Sequence, residues 1–118
     1  MVRNCTEDRE MDNTKNIDKS VLAKAKKYRK LLEENGVKIS AFYLFGSQAQ
    51  GTAKPGSDID IGVVSSDFTK DRITEAVKLD LLGDKIDSAI EPHPFSPEEF
   101  KDKYYLLAQE VSKTGIKV

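Results

Sequence analysis

Hydrophobic and polar positions follow two different periods along this chain, and the first of them is helical. From residue 18 to residue 34, apolar side chains recur at steps of three and four, which predicts a helix with one buried face. Asp18 or Ser20 is suited to cap its start, and Asn35-Gly36 is suited to end it. The predicted buried stripe contains Val21, Ala25, Tyr28 and Leu32.

Two apolar runs follow this helix, and both predict β-strands. The first, over residues 37–45, is apolar on both faces, which is typical of a strand in the centre of a sheet. It stops at Gly46-Ser47, where a short helical turn is expected. The second run covers residues 57–64 and begins with two aspartates. If the Gly-Ser pair and the aspartates are to share one ligand, the second strand must start beside the end of the first, so the two strands are antiparallel.

A helix and a third strand are predicted next, over residues 70–82 and 85–91. A strand, a helix and a strand over this length form a crossover connection, so the second and third strands are expected to run parallel. The predicted inward side of the helix consists of Ile73, Ala76, Val77 and Leu81.

The last predicted helix is recognised by its start. Ser96, Pro97 and Glu99 are the residues of a capping box with proline in the first helical position. The helix is expected to end at Thr114, and residues 116–118 are expected to trail off. Its predicted buried stripe contains Phe100, Tyr104, Leu107, Ala108 and Val111.

These elements predict an α/β (α+β) fold, a small mixed β-sheet packed by helices, in a single domain over residues 18–118. Residues 1–17 lack an apolar period, which predicts a flexible N-terminal tail. A chain of 118 residues has room for one modest core, so no second domain is expected.

The composition of the chain argues against a nucleic-acid-binding protein and against a membrane protein. Charged residues make up 33% of the chain and the net charge is −1, whereas a nucleic-acid-binding protein should carry a basic excess. Direct binding of nucleic acid is therefore not expected. The single cysteine, Cys5, forms no intrachain disulfide, and no apolar run approaches the length of a membrane span. The sequence predicts a cytoplasmic protein without a membrane segment.

Candidate chemistry lies between residues 44 and 64. Asp58 and Asp60 are two positions apart on a predicted strand, so their side chains point to one face and can converge on divalent metal ions. Gly46 has no Cβ, which lets a phosphate approach the backbone, and Ser47 adds a hydroxyl group. A phosphate cradle beside paired carboxylates is typical of metal-assisted phosphoryl or nucleotidyl transfer.

A third carboxylate is expected from the topology. Parallel strands start at the same edge of a sheet, so Asp87, near the start of the predicted third strand, should join Asp58 and Asp60. Asp84 is the alternative, although it belongs to the predicted turn. His93 lies between two prolines and is expected to be a loop residue.

These residues resemble the signature of a known superfamily. Gly46-Ser47, ten residues and then an Asp-x-Asp at Asp58 and Asp60 resemble the nucleotidyltransferase fold of the DNA polymerase β-like superfamily. The short chain is similar to the minimal nucleotidyltransferase (MNT) group of that superfamily. The family has a third acidic residue on a following strand, and Asp87 matches that position.

The resemblance implies an activity and a set of site residues. The implied reaction moves a nucleoside monophosphate, AMP from ATP or a group from another nucleoside triphosphate, to an acceptor hydroxyl. Asp58, Asp60 and Asp87 would be catalytic and would hold two Mg²⁺ ions, and Asp87 could also accept the proton of the hydroxyl. The implied nucleotide-binding residues are Gly46, Ser47, Gln48, Lys54 and Ser57.

The resemblance also implies a partner, and it leaves alternatives open. Many MNT proteins are antitoxins of HEPN-domain ribonuclease toxins, so the implied acceptor is a tyrosine of a HEPN protein; homo-oligomerisation stays open. The family commonly has arginines where this chain has Gln48 and Gln50, which favours a non-catalytic binding module that neutralises its partner by occlusion. Lys54 is the alternative source of positive charge. The third hypothesis is a small-molecule nucleotidyltransferase.

Overall fold

The computed structural model describes residues 17–68 and 71–118. In chain order its elements are α1 (Lys19–Glu34), β1 (Ile39–Phe45), α2 (Ser47–Gln50), β2 (Ile59–Ser65), α3 (Arg72–Asp84), β3 (Ile90–Phe95), α4 (Pro97–Lys101), α5 (Leu106–Thr114) and β4 (Ile116–Lys117). Most of the predicted tail, with Cys5, lies outside the described residues, and so does Lys70 at the predicted start of a helix. In the part that is described, no helix combines the length and the apolar character needed to cross a membrane.

The four strands form one mixed sheet in the order β3-β2-β1-β4. β1 and β2 are antiparallel, and β2 and β3 are parallel on either side of α3, as the sequence predicts. β1 lies between two strands, which confirms the central position expected from its two apolar faces. The expected mixed sheet packed by helices is confirmed.

Helices cover both faces of this sheet. On one face, α1 and α3 pack on Phe42, Leu44, Ile61 and neighbouring apolar residues of β1 and β2. On the other face, Ala108 and Val111 of α5 pack on side chains of β1, β2 and β3. The edge between the end of β1 and the start of β2 remains accessible, and it carries the predicted site.

Helix α1 follows the sequence prediction. Asp18 is its N-cap, and its carboxylate accepts a hydrogen bond of 2.8 Å from the Ser20 backbone N–H. All four predicted stripe residues are buried. Ile17 is buried too and belongs to the same core, so the predicted tail is too long by at least this one residue.

The predicted inward side of α3 is wrong in its three largest residues. Ile73, Val77 and Leu81 are 80%, 50% and 62% exposed. Leu79 and Leu82 are buried instead. The Tyr28 hydroxyl donates a 2.9 Å hydrogen bond to the carbonyl oxygen of Leu79, which anchors this side of the helix on α1. The helix therefore has two apolar sides. Contacts with residues distant in sequence bury the side with Leu79 and Leu82, which has fewer apolar residues.

The predicted third strand lies too early in the chain. Residues 85–89 form turns, and the strand is Ile90–Phe95, which includes Pro92 and Pro94. From the sequence, these prolines are interpreted as a link between elements. β3 is an edge strand, however, and alternate N–H groups of an edge strand point away from the sheet, so prolines at these positions break no ladder hydrogen bond.

The last predicted helix is interrupted, and the chain end is ordered. The capping box forms as predicted, since Ser96 and Glu99 exchange hydrogen bonds of 2.9 and 3.2 Å. The helix stops at Lys101, where the Asp102 carboxylate accepts from the Tyr104 N–H at 2.9 Å and competes with helical bonding. Tyr104 is therefore exposed, not buried.

Residues 116–118, expected to trail off, instead form an edge of the sheet. Ile116 and Lys117 pair with β1 as strand β4. The Val118 N–H donates to the Phe42 carbonyl oxygen at 3.0 Å and continues this pairing. The short strand places β1 inside the sheet, with hydrogen-bonded neighbours on both sides.

Candidate active site

Gly46 joins the end of β1 to α2 in a conformation that only glycine adopts readily. Its φ is 74° and its ψ is −154°. A Cβ at this position would lie 2.4 Å from Asp60 Oδ2, far inside van der Waals contact. The glycine therefore serves two purposes, because it permits the turn and it leaves room for the Asp60 carboxylate. The predicted approach of the Gly-Ser turn to the start of β2 is observed at Asp60.

The two aspartates of β2 lie where the spacing predicts, with different surroundings. Asp60 pairs in register with Phe45 of β1, and its side chain is 25% exposed. Asp58 precedes the strand by one residue and is exposed. Ile59 between them is buried in the core. The alternation of a strand thus directs both carboxylates to the accessible edge and anchors the segment through Ile59.

Two further polar side chains at this edge come from β3, and neither is among the site residues predicted from the sequence. Glu91 pairs in parallel register with Asp60, and His93 follows two residues later. His93 Nε2 lies 3.6 Å from Asp60 Oδ1 and 3.5 Å from Glu91 Oε1. Among the described residues, these three supply ligand atoms that all lie within 4.8 Å of one another. The sequence does contain a signal for this strand, because Glu91 and His93 are polar residues two positions apart. Pro92 and Pro94 beside them make this alternation hard to recognise as a strand.

Asp87 does not take the position expected of it. It lies in the turn before β3, and its Oδ1 accepts a 2.8 Å hydrogen bond from the Ala89 N–H. Its Oδ2 forms an ion pair with Lys24 Nζ of α1 at 2.5 Å. The Lys24 ammonium, with the Ala89 N–H, holds the pKa of Asp87 below its usual range. Asp84, the alternative, is exposed at the last residue of α3.

The predicted nucleotide-binding residues beyond the Gly-Ser pair support the loop before β2. Gln48 is 8% exposed, and its Nε2 lies 3.5 Å from the carbonyl oxygen of Ser57 and 3.4 Å from that of Asp58. The Ser57 hydroxyl accepts a 2.8 Å hydrogen bond from the Lys54 backbone N–H. These contacts hold the loop against α2, and the Lys54 side chain stays exposed.

A cavity of about 580 Å³ opens beside this loop. Its lining residues include Lys24 and Asp87, which form the ion pair, together with Gln48, Lys54 and Ser57. Its volume lies within the range of small-molecule sites. Asp87 therefore belongs to the wall of this cavity, on the face of the sheet that α1 covers. Asp60, Glu91 and His93 form a separate acidic group on β2 and β3, and none of the three lines the cavity.

Comparisons with known proteins identify the family of the chain. A family model described as a nucleotidyltransferase domain matches residues 25–117. A curated relative, the protein adenylyltransferase MntA of Shewanella oneidensis, is 42% identical over 62 residues, which are 52% of this chain. The matched segment spans only 44% of the length of that relative.

Two solved structures have a similar fold. One, a toxin-antitoxin with AMP-PNP, is 33% identical with a TM-score of 0.57, over 79% of this chain and 70% of that one. The other is a tri-AMPylated Shewanella oneidensis HEPN toxin in complex with an MNT antitoxin. It is 27% identical with a TM-score of 0.51, over 82% of this chain and 70% of that one.

Proposed function

The chain belongs to the nucleotidyltransferase domain family, and on that premise we propose that it transfers AMP from ATP to a hydroxyl group of a protein partner. The observation that carries the proposal is the contact between the Gly46 turn and Asp60. It brings a turn suited to phosphate directly against an acidic group on β2 and β3. Phosphates and carboxylates repel one another, so such a site suits a nucleotide that arrives with a divalent cation.

The described residues fit such a cation on three observations. Asp60 and Glu91 offer carboxylate oxygens, the ligands that hard divalent cations prefer. His93 Nε2 is buried between them and has no hydrogen-bond partner among the described residues. Gly46 lacks the Cβ that would fill the space next to Asp60. Asp58, Asp60 and Glu91 would hold Mg²⁺, two ions in our proposal, which when bound offsets negative charge on the phosphates.

The residues of the chain itself have separate tasks in this proposal. Gly46 lets the phosphates approach the backbone, and Ser47 donates its hydroxyl to a phosphate oxygen. Gln48 holds the loop that carries Asp58. Glu91, which is 55% exposed on the rim, accepts the proton of the attacking hydroxyl, the task that the sequence analysis assigned to Asp87.

The acceptor in this proposal is a tyrosine of a HEPN-type toxin, which makes the chain its antitoxin. Support comes from the relative named a protein adenylyltransferase and from the similar fold of an MNT antitoxin bound to an AMPylated HEPN toxin. ATP as the donor agrees with the cytoplasmic location that the sequence predicts.

Occlusion without turnover is the second candidate, and one observation favours it. Gln48 carries no charge and is occupied by the loop, and Gln50 is exposed and neutral. Triphosphate affinity at this turn therefore depends on Ser47 and on the exposed Lys54. A binding module would need neither the nucleotide nor the carboxylates.

Intact-mass measurement of the partner tests the proposal. The chain is incubated with a HEPN partner, ATP and Mg²⁺, and the partner is then separated and weighed. The parent should add one or more AMP groups. Asp60→Asn should slow the addition by about a thousandfold, since removing a bridging carboxylate costs about 4 kcal/mol of transition-state stabilisation.

Asp84→Asn is the matched control, because it removes one exposed carboxylate at the end of α3 and should leave the addition unchanged. Equal addition by the parent and by Asp60→Asn would contradict the proposed site. No addition by the parent, with the partner still neutralised, would favour occlusion.

A further inference from the structure

We infer that His93 Nε2 is itself a metal ligand, so that the acidic group binds a transition-metal ion of the Mn²⁺, Co²⁺ or Zn²⁺ class more tightly than Mg²⁺. The inference extends the metal centre of the proposed function, yet it concerns binding alone and requires neither nucleotide nor partner. It starts from the position of the imidazole on β3, beside Asp60 and Glu91.

The imidazole is held in place from several directions. Pro92 and Pro94 fix φ on either side of His93, which stiffens the strand at this point. The ring of Phe45 meets the imidazole edge-on, with ring centroids 5.2 Å apart and an interplanar angle of 65°. A side chain that is already oriented loses less conformational entropy when it binds a ligand.

The nitrogen lacks the partner that a buried polar atom normally has. His93 Nε2 is buried and makes no hydrogen bond among the described residues, although two carboxylate oxygens lie near it. Its distances to Asp60 Oδ1 and Glu91 Oε1 are 3.6 and 3.5 Å. An imidazolium bound directly to carboxylates should approach them to about 2.7–2.9 Å. Both observed distances from His93 Nε2 to the carboxylate oxygens are longer than this.

This spacing leaves room for a cation between the three atoms. With metal–ligand bonds of about 2.1 Å, the ligand atoms of a tetrahedral site lie about 3.4 Å apart, and those of an octahedral site about 3.0 Å. The two observed separations are close to the tetrahedral value.

The donor set then decides which metal is preferred. Mg²⁺ favours oxygen ligands and keeps several waters, whereas imidazole nitrogen suits zinc and other first-row transition metals. A site of two carboxylates and one imidazole should therefore discriminate between the two classes, and His93 should be the residue that does so.

The chain suits a spectroscopic test, because His93 is its only histidine and Cys5 its only cysteine. Tag-free Cys5→Ser protein, labelled with ¹⁵N, has one imidazole and no thiol. Zn²⁺ should shift the Nε2 resonance of His93 at one equivalent, and Mg²⁺ at the same concentration should not. An unmoved resonance in Zn²⁺, or the same shift with Mg²⁺, would overturn the inference without any mutation at His93.

Calorimetry on variants gives the second measurement. His93→Gln should weaken Zn²⁺ binding by at least about tenfold and change Mg²⁺ binding by less than about twofold. Asp84→Asn is the control and should change neither. Equal losses for both metals would assign His93 a structural task instead. AMP transfer can fail while these results stand, and these results can fail while AMP transfer with Mg²⁺ stands, so the two proposals are separable.

Discussion

Replacing Gly46 by alanine should weaken the fold and the reaction together, because the new methyl group would enter the space of the Asp60 carboxylate. The Cβ would lie 2.4 Å from Asp60 Oδ2 and 3.3 Å from its Cγ. The backbone at Gly46 also has φ 74° and ψ −154°, a region that costs other residues about 1–3 kcal/mol. Asp60 must rotate away or the turn must move, and either change separates the phosphate turn from the acidic group.

The expected loss of stability follows from these terms. A destabilisation of about 1–3 kcal/mol lowers the melting temperature of a domain of this size by about 4–12 °C. Gly36→Ala is the matched control, because Gly36 has φ 87° but no atom within 4 Å of the added Cβ. It should show the backbone cost alone and keep full AMP transfer.

A double-mutant cycle isolates the clash. Asp60→Ala removes the atoms that the new methyl group would meet most closely, so Gly46→Ala should cost less in that background than in the parent. Thermal unfolding of the four proteins gives the coupling energy, and mass measurement of the partner gives the activity of each. Full AMP transfer by Gly46→Ala, or a zero coupling energy, would refute the reasoning about this contact.

Three further predictions concern other parts of the structure. Lys24 holds the pKa of Asp87 low, so Asp87→Asn should reduce unfolding free energy by at most about 1 kcal/mol. This loss of unfolding free energy should be complete above about pH 4, the pKa of an aspartate in the unfolded chain, and should vanish as the pH falls through the lowered pKa of Asp87 in the folded protein. A loss that does not depend on pH in denaturant titrations would contradict the prediction. Leu79→Ala should cost about 2–5 kcal/mol and Leu81→Ala less than about 0.5 kcal/mol, and equal costs would contradict the described side of α3. Glu91→Gln should slow AMP transfer at least about a hundredfold without lowering the melting temperature, whereas an unchanged rate in a time course would remove Glu91 from the site.

Much of the site could be predicted because its residues lie at the ends of strands. A glycine after an apolar run and two aspartates at the start of the next run place Gly46 and Asp60 at one edge, and the structure has them in contact. The antiparallel and parallel pairings followed from the same argument. These inferences depend on local pattern and on connection length, which a sequence displays directly.

The errors arose where tertiary contacts decide. Ile73, Val77 and Leu81 form a regular helical stripe, yet the helix buries its other apolar side because Leu79 contacts Tyr28. Periodicity cannot choose between two apolar sides of one helix.

The third carboxylate was misplaced for a related reason. The sequence places Asp87 near the start of the third strand, because prolines follow soon after and prolines usually end a strand. Only the edge position of β3 makes those prolines acceptable and brings Glu91 and His93 beside Asp60. The identity of an edge strand depends on the whole sheet, so a local pattern does not reveal it.

The most direct test of AMP transfer follows the label from ATP to the partner. Parallel reactions contain ATP labelled at the α-phosphate or at the γ-phosphate, with the chain, a HEPN partner and Mg²⁺. The proposed reaction predicts that the partner gains α-label only, that γ-label leaves as pyrophosphate, and that Asp60→Asn slows both events by about a thousandfold. Label from the γ-phosphate on the partner, or no label on a partner that is nevertheless neutralised, would contradict the account.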